Sequence, residues 1–353
     1  MNNQELSIII PVYNGQDYIT DCINSILDQR DSEKYEIIIV NDGSTDNTSE
    51  ILDSFKRANK NISIINQQNS GVSVARNNGI NAAHGRYVSF VDCDDMVGLN
   101  LDAFDKYFCR RTVSTRTENL STTKTLQYPQ HLNNSHFTND YFTNMLHAAH
   151  DTGAEVVLGG KLTINKEMSY CIRQVYDSDF VYNQKVKNKL TVLHQASVRE
   201  SANFALFKRK KLNEYNLRFM PHMNLDEDIL FCMLAVLYAQ NVATVKNVTY
   251  FYNRHPDTLS NIMNYQESIH KSSVACIQRF SYLLREIDKK SGYAKVFSKC
   301  MKEYSRLGLK YPYQPGEFPP EDCYYWCEKQ ECTGCKIAQT IRNNLTQNIQ
   351  RYS

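Results

Sequence analysis

The sequence predicts an α/β protein with a mostly parallel β-sheet, flanking helices and a helical C-terminal extension. Two early apolar runs, LSIIIPV (Leu6 to Val12) and YEIIIV (Tyr35 to Val40), are continuous and rich in β-branched residues. Such runs are typical of strands buried on both faces. Amphipathic helical patterns separate the apolar runs as far as Asp95. This alternation of strand and helix favours right-handed crossovers and a parallel sheet.

Four strands and three helices make up the predicted first half of the sheet. NISIIN (Asn61 to Asn66) and RYVSFV (Arg86 to Val91) supply the third and fourth strands. The third helix is expected over Val72 to Ala83 and stops at Gly85. The first two helices are predicted from apolar stripes, which consist of Ile19, Cys22, Ile23, Ile26 and Leu27, and of Ile51, Leu52 and Phe55.

The second half of the chain has a less regular pattern. Residues 110–140 are rich in Ser, Thr and Asn, which predicts a long polar loop or insertion. Ala154 to Gly160 and Ala243 to His255 are predicted strands, and Asp226 to Gln240 is a predicted helix with an acidic start. Beyond about residue 262 the pattern is helical.

The charge balance excludes some classes of partner. The chain has 353 residues with 40 basic and 38 acidic side chains, so no overall field favours nucleic acid or an anionic membrane. The polar start carries no signal-peptide pattern, and the longest mostly apolar run, Ile229 to Ala239, is too short to span a bilayer. We therefore expect a cytoplasmic protein with no nucleic-acid partner.

Four of the 11 cysteines cluster late in the chain, at Cys323, Cys327, Cys332 and Cys335. Their close spacing could hold a structural zinc ion, but the intervals match no standard zinc finger. The alternative is a set of reduced thiols in a helical tail.

Polar motifs follow three of the predicted strands: PVYNG from Pro11, NDGSTD from Asn41 and DCDD from Asp92. Because ligands of open parallel sheets bind outside the carboxyl ends of the strands, we expect these motifs to converge on one crevice. Neither the glycine-rich dinucleotide fingerprint nor a Walker-type lysine loop is present. The Asp42 carboxylate could accept a hydrogen bond from a base edge or a ribose, or it could cap the following helix.

The acidic cluster after the fourth strand predicts a metal site. Asp92 and Asp94 have the same parity and would leave an extended strand on one face, whereas Asp95 would point elsewhere or begin a turn. Two carboxylates on one face suit Mg²⁺ or Mn²⁺, which also bind substrate phosphate oxygens. The alternative is a solvated acidic loop. A turn after Cys93 would present Asp95 instead of Asp94.

The segments SIIIPVYNGQDYITDCINSILDQ, YEIIIVNDGSTDNT and NSGVSVARNNGINAAHGRYVSFVDCDD together resemble the family 2 glycosyltransferases with the GT-A fold. The likeness is dense over residues 5–105 and looser over 200–260. It implies inverting transfer of a sugar from a nucleotide-diphosphate sugar, with UDP the expected nucleotide, in bacterial surface-polysaccharide synthesis. The acceptor would be a hydroxyl of a glycan or of a lipid-linked acceptor, and the cofactor Mn²⁺ or Mg²⁺.

The resemblance also implies a division of the chain. Residues 1–105 would form the nucleotide-sugar-binding half of the GT-A domain and 106–262 the acceptor-binding half. Residues 263–353 would form the helical C-terminal extension.

Donor-binding residues follow from the matching motifs. Pro11, Tyr13 and Asp42 would line the base and ribose pocket. Arg76 would lie near the nucleotide, although a surface helix residue paired with an acid is the alternative. Among the three aspartates, Asp92 would meet the ribose, and Asp94 or Asp95 the metal.

Catalytic residues are implied in the looser part of the match. Glu227 and Asp228 match the segment that supplies the catalytic base, and they would also be favourable charges at a helix N-terminus. Arg254 and His255 follow the last strand and could form a flap over the diphosphate. Arg254 would then bind the donor, and His255 would be a third metal ligand.

Two basic segments raise further expectations. FKRKK (Phe207 to Lys211) could attract an anionic acceptor such as a lipid diphosphate, or it is a solvated helix face. In the tail, apolar residues recur every four positions from Ile337 to Ile349 beside basic residues. This pattern fits an interfacial helix at the inner face of the cell membrane, but a helix packed on the domain or on a partner is the favoured interpretation.

Two other functional classes fit parts of the pattern. A sugar nucleotidylyltransferase also has an α/β nucleotide site, but it would carry a glycine- and arginine-rich phosphate loop early in the chain. A non-catalytic module that binds nucleotide sugars or glycans would need no catalytic base. The acid pair Glu227–Asp228 together with the DCDD motif therefore favours an enzyme.

Overall fold

The computed structural model describes residues 4–98, 139–165, 170–174, 180–182, 201–221 and 227–254. Nearly all of the polar segment at 110–140, the four late cysteines and the extension beyond 262, with its expected membrane-facing helix, lie outside these residues. The bounds expected for the three parts of the chain stay predictions.

The first half alternates strand and helix as predicted. The strands are β1 (Leu6–Val12), β2 (Tyr35–Asn41), β3 (Ile62–Asn66), β4 (Tyr87–Phe90) and the short β5 (Met96–Val97). The helices are α1 (Ile19–Leu27), α2 (Thr48–Ala58) and α3 (Val72–Ala82), with a 3₁₀ turn at Ser32–Lys34 before β2.

The described second half adds five strands and three helices. They are α4 (Tyr141–Thr152), β6 (Val156–Asn165), β7 (Tyr170–Gln174), β8 (Phe180–Tyr182), β9 (Ala205–Lys208), α5 (Arg209–Glu214), α6 (Glu227–Tyr238) and β10 (Val242–Arg254). A 3₁₀ turn, Ala202–Phe204, precedes β9.

One sheet joins all ten strands, in the order β3-β2-β1-β4-β9-β6-β10-β5, with β7 beside β6 and β8 beside β10. The β3-β2-β1-β4 half is parallel throughout, with Leu6 opposite Tyr35 on one side and Tyr87 on the other. Strand β9 then enters antiparallel beside β4. The predicted α/β fold with a parallel sheet and flanking helices is confirmed, and the carboxyl ends of β1, β2 and β4 share one edge.

The core lies where the apolar runs predicted it. All seven residues of β1 are buried, and α1 buries Ile19, Cys22, Ile23 and Ile26 against the sheet. On the other side, Phe90 of β4 packs edge-on against Phe219 and Phe231. This packing fixes the strand ends from which the polar motifs emerge.

The chain divides into two compact units. The first comprises Met1–Pro221 and Phe231–His255, and it contains the whole described sheet; the second comprises His222–Leu230 and Pro256–Ser353. Among the described residues, no helix has the length and apolar character needed to cross a membrane.

Candidate functional site

The loops after β1 and β2 are joined by side-chain to backbone hydrogen bonds. Asn14 adopts a left-handed backbone (φ 49°); its N–H donates to Ser44 Oγ (2.9 Å), and its Oδ1 accepts from Thr45 N (2.8 Å). Gly15 N donates to Thr48 Oγ1 at 2.9 Å. The PVYNG and NDGSTD motifs therefore form one surface.

The DCDD turn touches the same surface. A methyl group built on Gly15 would lie 3.4 Å from Cys93 Sγ, so the β1 loop packs directly on the turn. Beside Gly15, the Tyr13 side chain is 51% exposed, whereas Pro11 lies within buried β1 opposite Val40. The three motifs thus meet at the carboxyl edge of the sheet, where the sequence predicted a crevice, and the Tyr13 ring is exposed there.

Asp42 is buried and holds the loop that leads into α3. Its Oδ1 accepts from Gln67 Nε2 and Ser70 N, both at 2.8 Å, and its Oδ2 accepts from Gly71 N at 2.9 Å. The carboxylate therefore shapes the crevice wall in front of α3. It does not cap α2, since Asp46 accepts from Thr48 N there. Contact of Asp42 with a nucleotide stays a prediction.

Arg76 is a buried residue of α3 that pairs with the first aspartate of the turn. Its Nη2 donates to Asp92 Oδ1 at 2.7 Å, and the guanidinium lies 5.1 Å from the centre of the Phe219 ring. The other oxygen of Asp92 accepts from Asn203 Nδ2 at 2.5 Å. Arg76 is therefore not a surface residue, and its charge fixes the orientation of Asp92.

Asp95 points into the protein. Residues 92–95 form a turn in which Asp95 N donates to Asp92 O at 3.0 Å. The fully buried carboxyl accepts from the Tyr250 hydroxyl (2.6 Å) and from Asn253 N (2.9 Å). Burial, reinforced by the charges of Asp94 and Asp92, raises the pKa of Asp95 well above its ordinary value. Both oxygens of this group anchor the turn to β10.

Asp94, like Asp92, is a partly exposed residue of the turn. Its main-chain carbonyl accepts from Asn253 Nδ2 at 3.2 Å, which ties this residue to β10 as well. Within the described segments, no three His, Cys, Asp or Glu side chains are grouped as a complete protein-built metal site requires. Mg²⁺ is commonly held by one or two carboxylates together with substrate phosphates, and a partly exposed carboxylate suits that arrangement.

The expected catalytic acids belong to the second unit. Glu227 and Asp228 form the first turn of α6, where Glu227 is 8% exposed and Asp228 is half-buried. Negative charge in the first turn is favourable to the helix dipole. Arg254 is the last residue of β10, and His255 lies outside the described residues. The catalytic role of Glu227 and Asp228 and the flap expected from Arg254 and His255 stay predictions.

Several residues of the site were not expected from the sequence. Asn203, Tyr250 and Asn253 come from segments more than 100 residues after the DCDD motif and bind its carboxylates or carbonyls. Asn203 sits in a 3₁₀ turn, and Tyr250 lies in an apolar strand. All three lie within residues 200–260, where the family resemblance is looser, and this position was the signal in the sequence that could have pointed to them.

Comparison with known proteins finds a family match over the part of the chain that carries the three motifs. Residues 7–99 match the model of the family described as "Glycosyl transferase family 2". Glycosyltransferase EpsH of Bacillus subtilis (strain 168) is 26% identical over 297 residues, covering 84% of this chain and 73% of the relative. The poly(ribitol-phosphate) beta-glucosyltransferase of Bacillus spizizenii (strain ATCC 23059 / NRRL B-14472 / W23) is 41% identical over 97 residues, covering 27% of this chain and 15% of that protein.

A solved structure shares the fold. TarS 1-349 of S. aureus in complex with UDP-GlcNAc superposes with a TM-score of 0.60 and 17% identity, covering 98% of this chain and 81% of that one. The likeness confirms the GT-A fold that the sequence predicted. The family match over residues 7–99 spans the three crevice motifs, so this part of the chain is similar to glycosyl transferase family 2.

Proposed function

We propose that this protein transfers a sugar from a UDP-sugar to a hydroxyl group of a glycan or lipid-linked acceptor, with inversion, in surface-polysaccharide synthesis. The observation that carries the proposal is the crevice at the carboxyl ends of β1, β2 and β4. There the exposed Tyr13, the ion pair between buried Arg76 and partly exposed Asp92, and the partly exposed Asp94 meet. The names of two similar proteins support the two substrates: the TarS structure holds UDP-GlcNAc, and the Bacillus spizizenii relative is named for poly(ribitol-phosphate).

The donor nucleotide would occupy the wall formed by the β1 and β2 loops. The exposed Tyr13 ring offers a flat face against which a base can stack. Pro11 and Asp42 shape the wall behind it. Asp42 is 4% exposed and already accepts three hydrogen bonds, so its contact with the nucleotide would use the remaining acceptor capacity of Oδ2.

Asp92 would meet the ribose in a fixed orientation. Arg76 and Asn203 each bind a different oxygen of this carboxylate, which prevents it from rotating. Such preorganisation lowers the ordering cost of binding. We therefore assign Arg76 to positioning Asp92.

A divalent cation, Mn²⁺ or Mg²⁺, would be held by Asp94 together with the donor diphosphate. We prefer Asp94 to Asp95, because Tyr250 and Asn253 already bind the buried Asp95 carboxyl. When bound, the cation acts as a Lewis acid that neutralises the negative charge on the departing diphosphate. His255 stays a predicted further ligand, and Arg254 a predicted contact to the diphosphate.

The Asp228 carboxylate would act as general base, with Glu227 beside it. The carboxylate accepts the proton of the acceptor hydroxyl while that oxygen forms a bond to C1 of the sugar. The bond between C1 and the phosphate oxygen breaks with its electron pair, and the nucleoside diphosphate departs. One displacement inverts the configuration at C1 and requires no covalent sugar intermediate.

Replacing the base tests the proposed function. Asp228→Asn should retain donor affinity and lose transfer by about 10²–10⁴-fold, the usual contribution of general base catalysis. Calorimetric titration with the donor and NMR of the product anomer measure the two properties. The exposed Glu214→Gln variant loses an equal charge on α5 and should keep full activity. Unchanged transfer by Asp228→Asn would remove this residue as the base, and retention of configuration would contradict the mechanism.

A further inference from the structure

A basic cleft of about 680 Å³ lies at the edge of the sheet opposite the donor crevice. Its walls include Arg86, Lys208, Arg209 and Lys210, against one carboxylate, that of Glu5. The volume falls within the range of ordinary ligand pockets, roughly 300–1,000 Å³. Concentrated positive charge on concave walls focuses the electrostatic potential and attracts anions.

Local acids do not neutralise this charge. Among the described residues, none of the four cations forms an ion pair, and the Glu5 carboxylate faces His150 Nε2 at 3.1 Å. The neighbouring Glu36 carboxylate is held by Ser7 Oγ (2.6 Å) and by His84 N (2.9 Å). Lys211 differs from its neighbours, since it turns towards Glu155 and Glu214.

Hydrogen bonds to backbone carbonyl groups hold Arg209 in place at the wall of the cleft. Arg209 Nε donates to Gly85 O (2.6 Å) and its Nη2 to His84 O (2.9 Å), while Arg209 N donates to Arg86 O (3.0 Å). Strands β4 and β9 pair beside this point, with Tyr87 opposite Lys208. Two of the five N–H groups of Arg209 are used in this way, and the remainder are available to a ligand.

The cleft is separate from the site of sugar transfer. Its residues flank the amino ends of β1 and β4, whereas the DCDD turn follows the carboxyl end of β4. The seven residues of β1 span about 20 Å at roughly 3.3 Å per residue. An anion bound among these cations therefore cannot be the diphosphate that departs in the reaction.

We propose that this cleft is a second anion-binding site, which takes phosphate-bearing groups: the head groups of anionic lipids, or free phosphate compounds such as pyrophosphate. The site goes beyond the proposed transfer reaction and does not depend on it. Occupation by lipid head groups would hold the amino-end edge of the sheet at a membrane surface.

The test compares two variants of the full-length chain that lose the same charges. Arg86→Gln/Lys210→Gln removes exposed cations of the cleft, and Arg57→Gln/Lys60→Gln removes one exposed arginine and one exposed lysine at the end of α2. Co-sedimentation uses vesicles of equal parts phosphatidylglycerol and phosphatidylcholine, and calorimetry uses pyrophosphate without metal. Thermal unfolding checks that both variants fold.

We expect at least one of the two probes to bind, with the same affinity for wild type as for the α2 variant. Added salt should weaken that binding. The cleft variant should bind about 25-fold more weakly, because each basic residue near an anionic surface contributes a factor of about five. Adding Lys208→Gln should extend the loss to about 100-fold. If the cleft variant binds vesicles more weakly, the phosphate groups that the cleft takes are those of lipid head groups. If only its binding of pyrophosphate weakens, they are those of free phosphate compounds. Equal weakening by both variants, or no binding of either probe by wild type, would overturn the proposal.

Discussion

At the scale of the residue, the three aspartates of the DCDD motif have three different environments. Asp92 is held by Arg76 and Asn203, Asp94 is partly exposed, and Asp95 is buried against Tyr250 and Asn253. The repulsion among three close carboxylates is thus relieved by a cation, by solvent exposure and by a raised pKa for Asp95, in which burial is the largest cause. One short motif therefore combines an oriented carboxylate, a candidate metal ligand and an anchor.

Removing the charge of Asp92 should cost more stability than removing that of an exposed aspartate. Asp92→Asn leaves the Arg76 guanidinium, whose side chain is 3% exposed, without its anionic partner. Because Asp92 itself is partly exposed, we expect the free energy of unfolding to fall by about 1–3 kcal/mol, the usual cost of leaving a buried donor without its partner. Asp53→Asn, at an exposed position on α2, should change it by less than about 0.5 kcal/mol. Urea denaturation measures both variants, and equal losses would contradict these assignments.

The sequence predicted the position of this cluster but not the roles within it. Parity assigned Asp92 and Asp94 to one face, yet β4 ends at Phe90, so strand alternation no longer applies at the aspartates. A turn after Cys93 was the alternative that would present Asp95 to the metal; residues 92–95 do form a turn, but it directs Asp95 inward. The decisive partners, Asn203 and Tyr250, are distant in sequence, and no local pattern connects them to the motif.

At the scale of the element, α3 positions the site by its close approach to β1. A methyl group built on Gly79 would lie 2.3 Å from Ile9 Cγ2, so the helix packs on the strand at a distance that needs glycine. Arg76 lies one turn earlier on the same helix and reaches Asp92 because of that packing. The sequence predicted the helix over Val72 to Ala83, close to the observed Val72–Ala82, but the depth of its contact depends on three-dimensional packing.

Gly79→Ala should destabilise the protein. Alanine gains about 1 kcal/mol over glycine within a helix, but overpacking a core typically costs 1–3 kcal/mol, and a branch atom of buried Ile9 has little room to move. We expect a net loss of about 1–2 kcal/mol in the free energy of unfolding, together with weaker donor binding.

Ile9→Ala provides the matched control, because it removes the clashing atom. In a double-mutant cycle the two changes should be less costly together than their sum by about 0.5–3 kcal/mol. Additive effects in urea denaturation would show that the helix does not press on Ile9.

The β9 segment shows where local reasoning stops. Its four residues, ALFK, pair antiparallel with both β4 and β6 and join the two halves of the sheet. Nothing in so short an apolar run specifies its neighbours, because strand pairing is set by long-range contacts.

At the scale of the whole molecule, the sheet has chemically different edges. The carboxyl ends carry the aspartates, whereas the amino ends carry the basic cleft and the Glu36 network. Glu36 joins three segments there: Ser7 Oγ and His84 N donate to its Oε2, and Gly85 N donates to Ser7 Oγ.

Glu36 should make stability depend on acid pH. Burial raises the pKa of Glu36, but the hydrogen bonds from Ser7 and His84 outweigh it, so that the pKa lies below its ordinary value. The stabilisation from a depressed carboxyl pKa is present above the unfolded-state pKa and is lost as pH falls through the folded-state pKa. The stability difference between wild type and Glu36→Gln should therefore be largest near neutral pH and shrink in acid. Denaturation at a series of pH values measures it.

Asp53→Asn removes an equal charge from an exposed position on α2 and should not reproduce this pH dependence. A wild-type advantage over Glu36→Gln that stayed constant into acid would contradict the role given to this carboxylate.

The central claim is that the crevice binds a nucleotide sugar through a divalent cation at Asp94. It is tested most directly by screening UDP- and GDP-sugars for hydrolysis by the full-length chain with and without Mn²⁺. We predict hydrolysis of a UDP-sugar that requires the cation and falls at least about tenfold in Asp94→Asn, while Glu214→Gln remains active. Metal-independent hydrolysis, or equal activity of Asp94→Asn and wild type, would contradict the account.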